Sequence, residues 1–166
     1  GDQVHVGSQL ANDYIALNTR KAPFNDVRLR RAVSLCLDRP LLTEKVYRNG
    51  SVPADSFVPP STSNYHGGAR LDFADWPMDK RRAEARRLLA EAGYGPGHPL
   101  TFEFKMMTTI AGRRQGVAES AMLKQCGIIA RLFANEPKIH YAEVQAFDFQ
   151  AAWGGWVADY NDPQNF

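Results

Sequence analysis

The residues whose types and spacing could do chemistry are concentrated near one end of the sequence. The run Phe149-Gln150-Ala151-Ala152-Trp153-Gly154-Gly155-Trp156-Val157-Ala158-Asp159-Tyr160-Asn161-Asp162-Pro163 sets Trp153, Trp156, Tyr160, Asp159 and Asp162 around a glycine pair. Glycine weakens a strand interior unless another backbone must come close. Tryptophan is costly on a surface unless it packs or stacks. An extended strand flanked by glycine can accept a peptide as an added strand, with main-chain bonds for affinity and pockets for side chains. An acidic group at its end could hold an ammonium through a charge-assisted bond of about 1.5–3 kcal/mol. The other reading packs both tryptophans in the core and leaves Asp159 to cap the Asn161-Asp162-Pro163 turn. Local chemistry leaves both readings open.

The remaining candidates are weaker. Lys80-Arg81-Arg82 and Arg86-Arg87 form a basic cluster that could follow phosphates, as in an α/β module binding nucleic acid through Lys80 to Arg87. No aromatic residue interleaves with it, Glu84 and Glu91 dilute it, and Leu88 and Leu89 mark an apolar side, so a solvated helix face is expected. His5, His66, His98 and His140 each lack a second ligand at i+2 to i+4, so no metal site is expected, and no cofactor. There is no G-x-S-x-G, and Gly93-Tyr94-Gly95-Pro96-Gly97 is a helix stop rather than a phosphate loop. No catalytic residue is assigned, and a binding protein rather than an enzyme is expected. Cys36 and Cys126 have no CxxC spacing, and Cys36 lies in an apolar helical run. Two buried thiols are expected from the burial habits of free cysteine, while a disulfide would need Cα atoms within about 7 Å, a distance that sequence does not show.

The elements that must position these groups follow from pattern. The 166 residues are 44% hydrophobic and 23% charged, a globular balance with room for a core. A net charge of +2 from 20 basic and 18 acidic residues gives no global reason to expect nucleic acid as a partner. No apolar stretch approaches the roughly 18 residues of a transmembrane span, and no signal peptide is visible, which leaves the compartment open. Asp13–Thr19 reads as a buried strand, followed by a turn at 21–25 and a helix from Val27 capped by Asn25 or Asp26. Asp38-Arg39-Pro40 breaks that helix and starts another, which stops at Asn49-Gly50. Residues 51–77 are rich in Pro, Gly and Ser and read as a long loop. Asp79 is expected to cap a helix running to Ala92, with Ala85, Leu88, Leu89 and Ala92 inward. A strand over Leu100–Met106 with one wet face comes next, then a helix over Ile110–Gln125 and a strand over Ile128–Ala134. A short helix from Ile139 to Phe147 leads into a last strand from Phe149. Helices alternating with strands predict an α/β domain with a mixed or mainly parallel sheet.

Several of these runs together resemble one family. Tyr14-Ile15-Ala16-Leu17-Asn18-Thr19, Pro23-Phe24-Asn25-Asp26-Val27-Arg28-Leu29-Arg30-Arg31-Ala32-Val33 and Asp38-Arg39 are similar to the family 5 extracellular solute-binding proteins, the peptide receptors of bacterial ABC importers. The similarity continues through Ala90-Glu91-Ala92-Gly93-Tyr94, Gly127-Ile128 and Phe147-Asp148-Phe149 to Gly155-Trp156-Val157-Ala158-Asp159-Tyr160-Asn161-Asp162-Pro163. The resemblance implies one lobe of a type II (cluster C) periplasmic-binding-protein fold, with a mixed central sheet flanked by helices. Residues 1–166 would then be a single α/β domain, a fragment of the second (C-terminal) lobe, with the first lobe missing. It implies a short peptide ligand, ABC permease subunits as partners and a periplasmic or lipid-anchored extracellular location, with no nucleic acid. Asp159 would pair with the ligand's α-amino group, the main chain at Gly155 and Val157 would lie along the ligand backbone, and Trp156 would shape a side-chain pocket. Trp153 and Tyr160 complete the implied ligand-binding set. Trp153 stands where peptide-binding relatives can carry a basic residue for a ligand carboxylate. Relatives that carry nickel, haem or sugars share the fold, so a non-peptide ligand is the alternative within the family.

Overall fold

The computed structural model describes residues 11–38, 41–42 and 71–157, with backbone alone at 11–14 and 155–157. Four strands and four helices are ordered β1 (Ala11–Leu17), α1 (Val27–Cys36), α2 (Met78–Glu91), β2 (Leu100–Met107), α3 (Ile110–Lys124), β3 (Ile128–Asn135), α4 (Pro137–Gln145) and β4 (Ala151–Val157). The strands form one sheet in the order β1-β4-β2-β3. β2 runs parallel to β3 from Leu100↔Ile128 to Met107↔Asn135, and parallel to β4 at Phe104↔Ala151 and Lys105↔Ala152. The α/β class is as the sequence predicts.

The chain divides into two compact units. One comprises Ile15–Asp38 and Trp76–Trp153 and holds almost all the described core. Its centre is the apolar stripe of α1 (Leu29, Ala32, Val33, Leu35, Cys36), facing Ala85, Leu88 and Leu89 of α2, and Phe102 and Phe104 of β2 are buried in the same unit. Phe24, fully buried, sets its ring edge-on to Phe102 at 4.8 Å between centroids. The other unit contributes the first residues of β1, Leu41 and Leu42, Leu71–Asp75 and the end of β4; there Phe73 is buried and the Ala74 amide closes a turn on the Leu71 carbonyl.

Local chemistry explains the boundaries. Asp26, not Asn25, caps α1, accepting from the Arg28 amide at 2.9 Å. α2 starts two residues earlier than expected: Pro77 is its N-cap and Asp79 sits in the first turn, where its charge favours the positive helix end. The expectation that Asp79 is the cap is thus corrected. α3 is capped by Thr109, whose hydroxyl accepts from the Gly112 amide at 3.0 Å. α4 begins two residues earlier than expected, because Pro137 occupies the first helical position, where its missing amide costs nothing. Gly127 adopts φ +78 between α3 and β3, a turn that a side chain would strain. The expected helix after Asp38 is described only at Leu41 and Leu42, and residues 51–70 of the expected loop lie outside the described residues.

Two expectations are overturned by packing. Cys36 and Cys126, both buried, form a disulfide with Cα atoms 6.4 Å apart, rather than two thiols. The end of α1 and the turn after α3 meet only in the fold, across a sequence separation of 90. β2 also lacks a full wet face: Thr101 and Glu103 are half-buried, but Lys105 and Met107 are buried. Lys105 can be buried because carboxylates from its own strand, from α4 and from the turn into β4 surround its ammonium.

Candidate ligand-binding strand

β4 carries the candidate run, and its start is anchored from several sides. Asn18, buried just after β1, donates from Nδ2 to the carbonyls of Phe147 and Phe149, each at 3.0 Å, while its amide donates to the Gln150 carbonyl at 2.9 Å. Phe147 holds φ +56, an uncommon value for a non-glycine residue, and one of these bonds ends on its own carbonyl. Gln150 accepts from the Glu103 amide at 2.8 Å and donates to the Ala22 carbonyl at 3.0 Å. The approach to β4 is therefore fixed by side chains that reach its backbone.

A buried charge supports the same region. Lys105 points away from the Phe102 and Phe104 side of β2 by strand alternation. Its ammonium pairs with Glu143 of α4, donates to the Asp148 carbonyl at 2.7 Å and lies 3.7 Å from Glu103 and 3.9 Å from Asp148 carboxylate oxygens. Burial pushes the Lys105 pKa down, but the bond to Glu143 and the nearby carboxylates outweigh it and hold the group above the ordinary lysine value. Glu143 is shifted below the usual carboxylate value, chiefly by its bond from Lys105, and also accepts from Asn135 at 2.5 Å. This network joins β2, β3, α4 and the turn into β4.

At Trp153 the strand is held once more. The indole Nε1 donates to Oε1 of Gln115 in α3 at 2.7 Å, and the main-chain carbonyl lies 2.6 Å from Nε2 of His140 in α4. Trp153 is half-buried and Gly154 is buried. Gly155, Trp156 and Val157 continue β4 as backbone, while Asp159 and Tyr160 lie outside the described residues.

Lys80, Arg81, Arg86 and Arg87 of the basic cluster are engaged within the protein. Arg81 is buried and donates to the carbonyls of Leu35, Ser34 and Leu37 at 2.9, 3.1 and 2.8 Å, serving the unsatisfied end of α1. Desolvation lowers the Arg81 pKa from its ordinary value. Arg86 donates to the Gln125 carbonyl, and Arg87 sits between Glu84 and Glu91, which raise its pKa, the Glu84 bond first. Lys80 lies over the Trp76 ring at 4.1 Å. Of the histidines, His98 is exposed and stacks on Tyr94, and His140 is buried. Among the described residues no group of three or more His, Cys, Asp or Glu could hold a metal, and no helix is long and apolar enough to cross a membrane.

The whole chain, residues 1–166, matches the bacterial extracellular solute-binding proteins, family 5 Middle. The chain belongs to this family. Among family 5 relatives, it is 37% identical over 169 residues to the periplasmic oligopeptide-binding protein OppA of Escherichia coli, covering 99% of this chain and 30% of OppA. It is 34% identical to the periplasmic murein peptide-binding protein MppA of the same organism, again over 99% of this chain and 30% of the relative. The crystal structure of Haemophilus influenzae OppA in complex with the peptide RPPGFSPFR superposes with a TM-score of 0.90 at 33% identity, over 95% of this chain and 31% of that one. The architecture is therefore that of the family 5 binding proteins, and the chain spans about a third of the length of the relatives it matches.

The residues that place β4 are not legible in the sequence. Asn18 falls within a run that carries the family resemblance, but nothing local marks its two carbonyl partners. Gln115 and Lys105 are ordinary by type, and His140 stands out in the sequence only as a candidate metal ligand. Each has its partner between 13 and 131 positions away.

Proposed function

We propose that this chain is part of the second lobe of the substrate-binding component of an ABC peptide importer, a binding protein and not a catalyst. The longer protein would hold short peptides in a cleft between two lobes and deliver them to membrane permease subunits. The observation that carries this reading is the 37% identity to an oligopeptide-binding protein over 99% of the chain, including the run from Trp153 to Pro163. Within that run Asp159 pairs with the peptide's α-amino group, Gly155 and Val157 offer main-chain bonds, and Trp156, Trp153 and Tyr160 shape the side-chain space.

Two features of the fold support it. On β3, α3 and α4, large apolar side chains are left exposed (Phe133 at 50%, Ile139 at 49%, Val117 at 61%), as expected of a segment cut from a larger packed lobe. The Cys36–Cys126 disulfide fits an oxidising compartment such as the periplasm. The nucleic-acid alternative loses support, because Arg81, Arg86 and Arg87 are already bonded to carbonyls or carboxylates of the chain.

The test is calorimetric titration of the longer parent protein with a library of short peptides. Asp159→Asn is expected to weaken binding about 10- to 150-fold, the loss of one charge-assisted bond, and blocking the peptide's amino group by acetylation should weaken the wild type similarly. Peptide binding indifferent to both changes would remove Asp159 as the anchor. No peptide binding alongside uptake of nickel, haem or sugar would move the protein to the non-peptide branch of the family.

A further inference from the structure

β4 pairs with β2 at Ala151 and Ala152, and Trp153 is the next residue. Beyond it stand Gly154 and Gly155, which have no side chains to fix the register of the residues after them. The side chain that holds the strand just before the glycine pair is therefore Trp153 itself. It is gripped twice, by two helices: Gln115 of α3 takes the indole proton at 2.7 Å, and His140 of α4 meets the carbonyl at 2.6 Å. Both gripping side chains are almost wholly buried, Gln115 at 5% and His140 at 1% exposure.

The histidine is informative about purpose. A carbonyl can only accept, so Nε2 carries the proton in this bond. The other ring nitrogen, Nδ1, is buried with no hydrogen-bond partner among the described residues. An apolar ring at this position would fill the same space without burying an unsatisfied nitrogen, which is costly. The imidazole is thus accounted for by what Nε2 does, which is to hold the Trp153 carbonyl.

We propose that Gln115 and His140 are positioning residues for ligand binding: together they clamp Trp153, the first residue of the proposed ligand run, and so hold β4 in place at that residue. They touch no ligand. Their effect passes through Trp153, and the role in binding rests on the proposed reading of that run as the peptide-binding strand.

The experiment uses the longer parent protein labelled with 5-fluorotryptophan, the Trp153 line being identified by its loss in Trp153→Phe. Gln115→Leu and His140→Phe each remove one hold, and His140→Gln keeps an N–H donor near the position of Nε2. The expected result is a shifted or broadened Trp153 line in the first two variants, with peptide affinity reduced roughly three- to tenfold, as for one lost buried hydrogen bond. His140→Gln should restore most of the affinity, which a simple loss of ring packing would not allow. A Trp153 line unmoved in either Gln115→Leu or His140→Phe overturns the clamp whatever the titration shows. A moved line with unchanged affinity overturns its role in binding. A wild-type parent that binds no peptide, but whose line still moves in both variants, overturns the peptide reading and supports the clamp.

Discussion

Lys105 shows how a single buried charge can be tolerated and what it does in return. At 8% exposure an isolated ammonium would be prohibitive, but Glu143, the Asp148 carbonyl and two further carboxylates surround it. Replacing Glu143 by Gln removes the countercharge while keeping the shape, and is expected to destabilise the protein at neutral pH by about 1–3 kcal/mol. The sign of the pH dependence comes from the two shifts. Glu143 lies below its ordinary value of 4.5, so its contribution is present above that value and is lost as pH falls through the lower, folded-state pKa. Lys105 lies above its ordinary 10.5, so its contribution is intact below that value and is lost only as pH rises through the higher, folded-state pKa. Denaturant unfolding of wild type and Glu143→Gln should therefore differ at pH 7 and converge in strong acid. A difference that persists undiminished in strong acid would mean that Glu143 acts through packing rather than charge.

At the scale of elements, α3 is set by how closely it approaches β2. A Cβ on Gly112 would lie 2.7 Å from the Met107 carbonyl oxygen and 2.9 Å from the Thr109 hydroxyl that caps the helix. One on Gly116 would fall within the Met106 side chain, whose end is flexible but buried. Helix propensity alone says that Gly112→Ala should stabilise α3 by about 1 kcal/mol. The backbone contact reverses that sign, and a net loss of about 1–2 kcal/mol is expected from overpacking. Thermal unfolding of the single variant checks it, and a raised melting temperature would show that the helix can move off the strand. The same closeness brings Gln115, between the two glycines in sequence, to the Trp153 indole. The hold on β4 at Trp153 thus depends on small residues that periodicity reads only as weak helix formers.

For the whole molecule, the strongest single constraint is the Cys36–Cys126 bond, which ties the end of α1 to the turn after α3 across 90 positions. Closing so long a loop restricts the unfolded chain, and reduction or paired Cys→Ser substitution is expected to cost about 2–4 kcal/mol. Thiol titration of the unreduced protein under denaturing conditions should find no free thiol at these two positions, and unfolding with and without reductant should show the loss. Equal stability in both states would mean that the bond adds nothing to the buried contact of the two side chains. What the sequence by itself determined is whatever is local or periodic: the α1 stripe, a cap at Asn25 or Asp26, the Gly93 stop, the helix–strand alternation, and the motif runs that carry family membership. These depend on neighbours within a few residues, so their physics is complete in a short window. Only the tertiary structure decided that the cysteines are joined, that Arg81 serves the end of α1 rather than a phosphate, that Lys105 lies inside, and that Asn18, Gln115 and His140 hold β4. In each of these a polar or reactive side chain acquires its role from a partner 13 or more positions away, and burial then makes that partner obligatory.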